Sequence, residues 1–321
     1  YIDSLAEKEK YLHGGEQAVS YFPQWKADGY EEMCRNNACF ICISGDDPDV
    51  FSDVPAEIIG LANKVNSQGM KKVNMYTMSS ELSWVVAAAP TEEWAKKVFP
   101  GISCEEVVSE LWDRILTASR VDRDDPEKAW HDHNESPRSK TEYLNSMQFA
   151  SLHYRSAGNG ITKGTDLTIK LPENHIWSGG AEKNAQGIFF NANMPTEEVF
   201  TAPQKDGING YVSSSLPFNC NGNLVENFVL YFEKGKVVDM TAEKGLETLR
   251  ELLATDEGAS YIGEVALVPH DSPISNTNTI FFNTLFDENA SCHLAFGEAY
   301  PSCIKGGELM TEEELEKNGL N

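Results

Sequence analysis

The sequence predicts a multidomain protein with an N-terminal α/β lobe on a mostly parallel sheet and a C-terminal strand-rich α+β lobe. The chain has 321 residues, more than a single domain usually contains. Strand-like and helix-like segments alternate up to residue 151, as in α/β folds. From residue 152 onward, short strand-like segments are separated by Gly, Asn and Pro turns. We therefore divide the chain into lobes 1–151 and 152–321.

The N-terminal lobe is predicted to contain two strands and four helices. The apolar run CFICIS (39–44) is typical of a buried strand, and KVNMYTM (72–78) indicates a second strand. A helix over 55–70 begins at a proline and has a glycine near its end. The other three helices are predicted at 91–98, 104–120 and 126–151.

The C-terminal lobe is predicted to consist mainly of strands. One helix is expected at 243–255, and a last one follows the capping-box pattern Thr311-Glu-Glu-Glu314 and stops at Gly319. The glycines of SAGNGITKG (156–164) lack dinucleotide-loop spacing and do not open a helix, so they indicate a turn. The strand-like segments are LHYR, GTDLTIKLPENHIW, GIFFNANMP, GYVSSSLPF, NFVLYFEKGKVVDM and SYIGEVALV.

The charge and hydropathy exclude two classes of protein. The formal charge is −24, with 26 Lys+Arg against 50 Asp+Glu, whereas nucleic-acid binding needs a concentrated basic surface. No apolar run approaches the roughly 18 residues of a membrane span. The acidic composition suits a cytoplasmic protein, most of whose carboxylates are solvated.

Three clusters look reactive but have a simpler interpretation. Cys39 and Cys42 have redox-motif spacing, but strand alternation points their sulfurs to opposite faces, so we expect reduced, mostly buried thiols. The segment His131-Asp132-His133 lies in a polar stretch without apolar residues to exclude water, which predicts a solvated face. Cys292 directly precedes His293, and adjacent residues rarely bring a thiol and its base into hydrogen-bond geometry.

The chemistry is concentrated in segments 256–268 and 284–301, DEGASYIGEVALV and TLFDENASCHLAFGEAYP. They place Glu264, Glu288, His293 and Tyr300 among apolar residues, where a divalent metal is a usual compensation for buried polar groups. For Glu264 a structural ion pair is an equal alternative. For His293 the alternative is a core histidine that bonds to the backbone.

A second acidic group is Glu197-Glu198 in NMPTEEVFTAP (193–203). An exposed turn between two prolines and a ligand-bearing strand are both compatible with this segment. Adjacent residues of a strand point to opposite faces, so at most one of the two glutamates is expected to bind a metal directly.

The four segments NMPTEEVFTAP, GTDLTIKLPENHIWSGG, DEGASYIGEVALV and TLFDENASCHLAFGEAYP resemble signature blocks of the thermophilic-type metallo-aminopeptidases, the aminopeptidase T / aminopeptidase S family. The resemblance is strong over residues 150–321 and more diffuse before them. It implies a cytoplasmic homodimer that uses two divalent metal ions (zinc, cobalt, manganese or magnesium) to remove N-terminal residues from peptides.

The resemblance also implies roles for individual residues. Tyr300 takes an active-site position, and Glu264 bridges the two ions. From the chemistry of such a site we expect Glu197 or a ligand glutamate to accept the proton of the attacking water. The family's other two ligands form a His-x-Asp motif expected after residue 321, and a further piece is expected before residue 1. Four ligands for two ions imply weak metal binding. The implied metal ligands are Glu198, Glu264, Glu288 and His293.

Two other functions remain open. One is an inactive fragment that acts only as a binding or oligomerisation module. The other is a metal-dependent amidohydrolase that acts on small amides.

Overall fold

The computed structural model describes residues 4–158, 160, 162–220 and 222–321. In its N-terminal part, strands β1 (Phe40–Ser44) and β2 (Trp84–Ala88) pair in parallel, with Cys42 opposite Val86. Helices precede, connect and follow these two strands. They are α1 (Ser4–His13), α2 (Gly15–Val19), α3 (Gln24–Arg35), α4 (Ala56–Met78), α5 (Glu92–Val98), α6 (Val107–Ala118) and α7 (Pro126–Met147).

The sheet of this part differs from the prediction. Among the described strands only β1 and β2 pair in parallel, so a mostly parallel sheet is not confirmed. The run 39–44 does form a strand, but its predicted burial is wrong, because Ile41 and Ile43 are 72% and 62% exposed. The seven cysteines are free thiols, as expected. They are not mostly buried, since Cys39, Cys42, Cys104 and Cys292 are exposed.

The predicted strand 72–78 is instead the last part of helix α4. Met70, Val73 and Tyr76 recur at helical spacing and pack with residues of α3 in one apolar cluster. Gly69, which suggested the end of the helix, lies inside it because the ring of Phe22 packs there. A Cβ at this position would lie 2.5 Å from ring atoms of Phe22.

The C-terminal part is built mainly from antiparallel strands. Five strands form a sheet in the order β12-β11-β8-β4-β3, and three form a second sheet in the order β14-β13-β7. The strands are β3 (Ser151–Ala157), β4 (Gly164–Lys170), β5 (Glu182–Lys183), β6 (Phe189–Phe190), β7 (Val199–Thr201), β8 (Ile208–Ser213), β9 (Phe218–Cys220), β10 (Asn223–Val225), β11 (Val229–Glu233), β12 (Lys236–Thr241), β13 (Ile262–Leu267) and β14 (His293–Phe296).

Short helices connect these strands. The capping box at Thr311 is confirmed, since its hydroxyl accepts from the Glu314 N–H and the Glu314 carboxylate accepts from the Thr311 N–H. The helices are α8 (Leu246–Leu253), α9 (Pro273–Asn276), α10 (Thr284–Asp287) and α11 (Glu312–Lys317), with 3₁₀ turns at Gly258–Ser260, Glu288–Ala290, Pro301–Cys303 and Gly307–Leu309.

Two large apolar cores stabilise the fold. The first lies between the five-stranded sheet, α8 and β13, and includes Leu167, Ile208 and Val265. The second joins α5 and α6 to segment 274–286 around Trp94 and Phe286. The second core thus connects residues on both sides of 151/152, and the division into two lobes stays a prediction.

Several other predicted elements are confirmed. Helices α5, α6, α7 and α8 occupy segments predicted to be helical, and α7 ends at Met147. The glycine-rich connection of β3 and β4 is a hairpin, in which Ala157 pairs with Gly164; Asn159 and Ile161 lie outside the described residues. None of the helices in the described ranges is long and apolar enough to cross a membrane.

Candidate metal centre

The three-stranded sheet brings together side chains from distant parts of the chain. Ala266 in the central strand β13 lies opposite His293 of β14 on one side and Phe200 of β7 on the other. Residues two positions apart on a strand share a face, so Glu264 is directed to the same face as Ala266, and Glu198 to the face of Phe200. The small, fully buried Ala266 leaves space between the three polar side chains.

The resulting cluster consists of Glu198, Glu264 and His293. One potential ligand atom from each residue lies within 4.8 Å of the other two. His293 Nε2 is 2.9 Å from Glu198 Oε2 and 3.6 Å from Glu264 Oε1. All three side chains are at least four-fifths buried. The polar atoms therefore face one another in a space with little access to water.

This cluster has too few cations for its carboxylates. Burial raises the pKa of Glu264. The neighbouring His293 lowers this pKa, whereas the negative charge of Glu198 raises it. Burial lowers the pKa of His293, but the adjacent carboxylates of Glu198 and Glu264 outweigh this effect and raise the pKa to about 11. Among ion pairs of the described residues, His293 is the cationic partner of both carboxylates. A proton on imidazole thus occupies the position that a metal cation would fill.

Glu288 lies beside this cluster on the 3₁₀ turn after α10. Burial, together with the charges of Glu198 and Glu264, raises its pKa to about 8, although His293 acts in the opposite direction. Its oxygens do not belong to the compact group of ligand atoms formed by Glu198, Glu264 and His293. Glu288 therefore borders the cluster, and its carboxylate is the fourth titratable group at this place.

Tyr300 precedes the next 3₁₀ turn and stacks at a tilt against Phe200, with ring centroids 5.7 Å apart. Burial raises the pKa of its hydroxyl above the ordinary range, and the nearby charges of Glu264, Glu182 and Glu198 raise it further. The hydroxyl is therefore a protonated hydrogen-bond donor beside the carboxylates.

A backbone carbonyl group orients the ring of His293. Its Nδ1 lies 3.2 Å from the carbonyl oxygen of Ser291, which suits a protonated Nδ1 and leaves Nε2 directed at the carboxylates. This is the arrangement in which a histidine commonly binds a metal through Nε2. A core histidine that bonds only to the backbone does not describe His293, because Nε2 faces two carboxylates.

Glu197 points away from the cluster, as strand alternation predicts. Its carboxylate forms a buried pair with Arg120, with Nη1–Oε1 at 2.7 Å and Nη2–Oε2 at 3.0 Å. Its backbone N–H donates to Oδ1 of the fully buried Asn289, at 2.7 Å. Segment 197–198 is therefore held on one side by Arg120 and on the other by the residue after Glu288.

No pattern in the sequence indicated that Arg120, Asn289 or His133 lies near the site. His133 was expected on a solvated face, which is wrong: its Nε2 lies 2.7 Å from the carbonyl oxygen of Thr196, and its ring packs on Trp130. His131 is 76% exposed, as expected. Only the packing of α7 against β7 distinguishes the two histidines, and no local pattern in the sequence contains that information.

Cys292 is not placed to act as a nucleophile with His293. Its Sγ lies 3.4 Å from the backbone nitrogen and 3.6 Å from the carbonyl oxygen of Val268. The thiol therefore belongs to the contacts between β13 and the start of β14.

The donors present fit a divalent metal. Glu198 Oε2 is buried without a hydrogen bond, since its contact with His293 is within ion-pair distance but lacks hydrogen-bond geometry. Such an atom is costly unless a cation compensates it. Carboxylates combined with an imidazole are ligands for zinc, cobalt or manganese. Glu198, Glu264 and His293, with Glu288 beside them, are the residues that would hold it.

One cavity adjoins the cluster, and another lies beside Tyr300. The first, of about 420 Å³, is bordered by Glu288 and His293 and has a largely apolar wall. The other, of about 680 Å³, is bordered by Tyr300 and Phe200 and carries charged side chains of both signs, including Arg138 and Glu182. An extended molecule therefore has space beside His293 and beside Tyr300.

Comparisons with known proteins identify the family of the chain. The chain is 47% identical to aminopeptidase AmpS of Bacillus subtilis over 319 residues, which are 99% of this chain and 76% of that protein. It is 40% identical to aminopeptidase T of Thermus thermophilus, over all of this chain and 77% of the relative. The solved structure of wild-type AmpT from Thermus thermophilus superposes with a TM-score of 0.88 at 39% identity, again covering 100% of this chain and 77% of the other. The family described as thermophilic metalloprotease (M29) matches residues 1–321. The chain therefore belongs to the M29 family of thermophilic metalloproteases.

Proposed function

We propose that this protein is an aminopeptidase that hydrolyses the first peptide bond of its substrates with the help of two divalent metal ions. The observation that carries the proposal is the buried group of Glu198, Glu264 and His293, whose carboxylates lack sufficient cationic partners. Membership of a metalloprotease family and relatives that are named aminopeptidases support it.

Four residues hold the metal in this proposal. Glu198, Glu288 and His293 would bind the ions together with Glu264, which lies in the middle of the sheet and would serve both of them. A bound divalent ion supplies a water that ionises near neutral pH and polarises the scissile carbonyl. Zinc, cobalt and manganese suit these donors better than magnesium, which prefers oxygen ligands alone.

The remaining steps belong to residues of the chain. Tyr300 donates a hydrogen bond to the oxyanion that forms at the scissile carbonyl, a contact that strengthens as negative charge develops. A carboxylate accepts the proton of the attacking water. A ligand glutamate fits this role better than Glu197, because the carboxylate of Glu197 is paired with Arg120 and points away from the cluster.

The acidity of the centre explains selectivity for a free N-terminus. With a formal charge of −24, the protein surrounds the centre with a negative potential, which attracts an α-ammonium group and does not attract a neutral acylated nitrogen. An amidohydrolase that acts on small amides would not require this charge. A homodimer and a cytoplasmic location are part of the same proposal.

A comparison of free and blocked substrates tests the function. Protein supplied with zinc, cobalt or manganese is mixed with leucine p-nitroanilide and with N-acetyl-leucine p-nitroanilide, with and without a chelator. We expect metal-dependent turnover of the free substrate and at least about a hundredfold slower turnover of the acetylated one. Equal turnover of both would support an amidohydrolase. Metal binding without turnover of either would support a binding or oligomerisation module.

A further inference from the structure

We infer that the 420 Å³ cavity beside His293 and Glu288 receives the side chain of the substrate's N-terminal residue and selects a bulky, uncharged one. This inference rests on the proposed aminopeptidase function and specifies its substrate class. The cavity lies between the end of β8, strand β9, helix α8 and strand β14. Its size is in the range of pockets that enclose small ligands.

The wall of the cavity is mainly apolar. Phe218 and Phe228 come from the segments around β9 and β11, Leu252 comes from α8, and Ile262 and Phe296 come from the two strands that carry Glu264 and His293. An apolar side chain that enters this space loses contact with water and gains contact with these residues.

The charged groups of the cavity are already engaged. The carboxylate and imidazole side chains in its wall are those of Glu288, His293 and Asp287. Glu288 and His293 are proposed metal ligands. The two carboxylate oxygens of Asp287 accept hydrogen bonds from the backbone nitrogens of Phe281 and Asn283. A lysine or arginine side chain would therefore enter without a free counter-ion. Neutral side chains such as those of leucine, methionine and phenylalanine are the ones that fit.

The second cavity, beside Tyr300, differs in a way that orients the peptide. Its wall contains Glu135, Arg138, Glu182 and Lys183 among other polar groups, and it is the larger of the two. Such a wall suits a hydrated peptide chain of variable sequence. The first residue of the substrate therefore occupies the apolar cavity, and the residues after the scissile bond extend toward Tyr300.

The test narrows the cavity at Leu252, which lies on α8 away from the proposed ligands. We expect wild-type protein to hydrolyse leucine and phenylalanine p-nitroanilides with kcat/KM at least about tenfold above that of the alanine compound. In Leu252→Trp the values for leucine and phenylalanine fall at least about tenfold, while that for alanine changes less than about twofold. Leu5→Trp, the same substitution at an exposed position, leaves all three unchanged.

A variant that enlarges the cavity covers the case in which tryptophan prevents folding. Leu252→Ala is expected to raise the ratio of kcat/KM for tryptophan against leucine p-nitroanilide at least about fivefold. The inference is overturned if wild-type protein treats alanine and leucine alike, or if Leu252 variants change all substrates equally. It is also overturned if the preference follows the second residue of dipeptides instead of the first.

Binding separates this inference from the proposed function. Titration calorimetry of metal-supplied protein with L-leucinol and L-alaninol should show at least about tenfold tighter binding of leucinol, a difference that Leu252→Trp removes. That result without any peptide hydrolysis would keep the pocket and reject the aminopeptidase. Hydrolysis with equal affinity for both amino alcohols would keep the aminopeptidase and reject the pocket.

Discussion

At the scale of single residues, Glu264 is the position at which a change of one atom tests the centre. Glu264→Gln retains the size of the side chain but removes the charge that balances a cation. We expect bound metal to fall at least about tenfold and turnover about a hundredfold or more. Elemental analysis of dialysed protein and leucine p-nitroanilide hydrolysis measure the two effects. Glu247→Gln, at an exposed site on α8, is the matched control. Unchanged metal content and turnover in Glu264→Gln would reject the bridging role.

The Arg120–Glu197 pair gives a second prediction at this scale. Both side chains are nearly buried, at 12% and 4% exposure, so removal of one partner leaves a charge without compensation. Arg120→Met should lower the free energy of unfolding in urea by about 3 kcal/mol, and adding Glu197→Gln should restore most of it.

The exposed pair Arg138–Glu135 serves as the control for that experiment. Arg138 and Glu135 side chains are 64% and 48% exposed, and Arg138→Met should cost less than about 1 kcal/mol because solvent screens the interaction. Equal effects of Arg120→Met and Arg138→Met would show that the buried pair does not support the segment next to Glu198.

At the scale of elements, two helical glycines should respond in opposite directions to the same change. Alanine stabilises an open helix position by about 1 kcal/mol relative to glycine. In α4, however, a Cβ at Gly69 would lie 2.5 Å from the Phe22 ring, so Gly69→Ala should destabilise the protein by about 1–2 kcal/mol.

Gly29 in α3 has nothing within 4 Å of an added Cβ, and Gly29→Ala should be stabilising. Urea denaturation of both variants measures the difference. If Gly69→Ala were also stabilising, the contact between Phe22 and α4 would be wrong.

The junction of β13 and β14 shows a similar constraint nearer the centre. A Cβ at Gly263 would lie 2.4 Å and 2.5 Å from the carbonyl oxygens of Gly297 and Glu298. The register of the two strands shifts at this point, directly before Glu264. The absence of a side chain at Gly263 thus permits the close approach by which β14 brings His293 to Glu264.

At the scale of the whole molecule, metal binding and folding should be coupled. A ligand that binds only the folded state at a hundred times its dissociation constant stabilises it by about 2.7 kcal/mol. We expect saturating zinc, cobalt or manganese to raise the free energy of unfolding by about this amount, and a chelator to reverse the gain. Thermal unfolding of wild-type protein and Glu264→Gln with and without metal measures the effect. The same stabilisation in both proteins would place the metal elsewhere.

The sequence alone was sufficient for properties that depend on neighbouring residues. Local sequence patterns predicted the helices from Glu92 to Met147 and the strand-like character of the segment that forms β11 and β12, because such patterns depend on neighbouring residues. The unusual density of polar groups among apolar residues pointed to Glu264, Glu288, His293 and Tyr300. Glu198 entered through the resemblance to a known family, since its own segment was equally compatible with an exposed turn.

Only the tertiary structure decided which distant groups meet. The pairing of β7 with β13 brings Glu198 to His293, and the same packing turns Glu197 toward Arg120. The prediction of a strand at 72–78 was wrong because a short apolar segment has no clear period of its own. Contacts with α3 favour the helical conformation of this segment. Composition and spacing thus determined the chemistry available to this protein. The register of three strands decided its arrangement, because long-range pairing depends on the free energy of the whole fold.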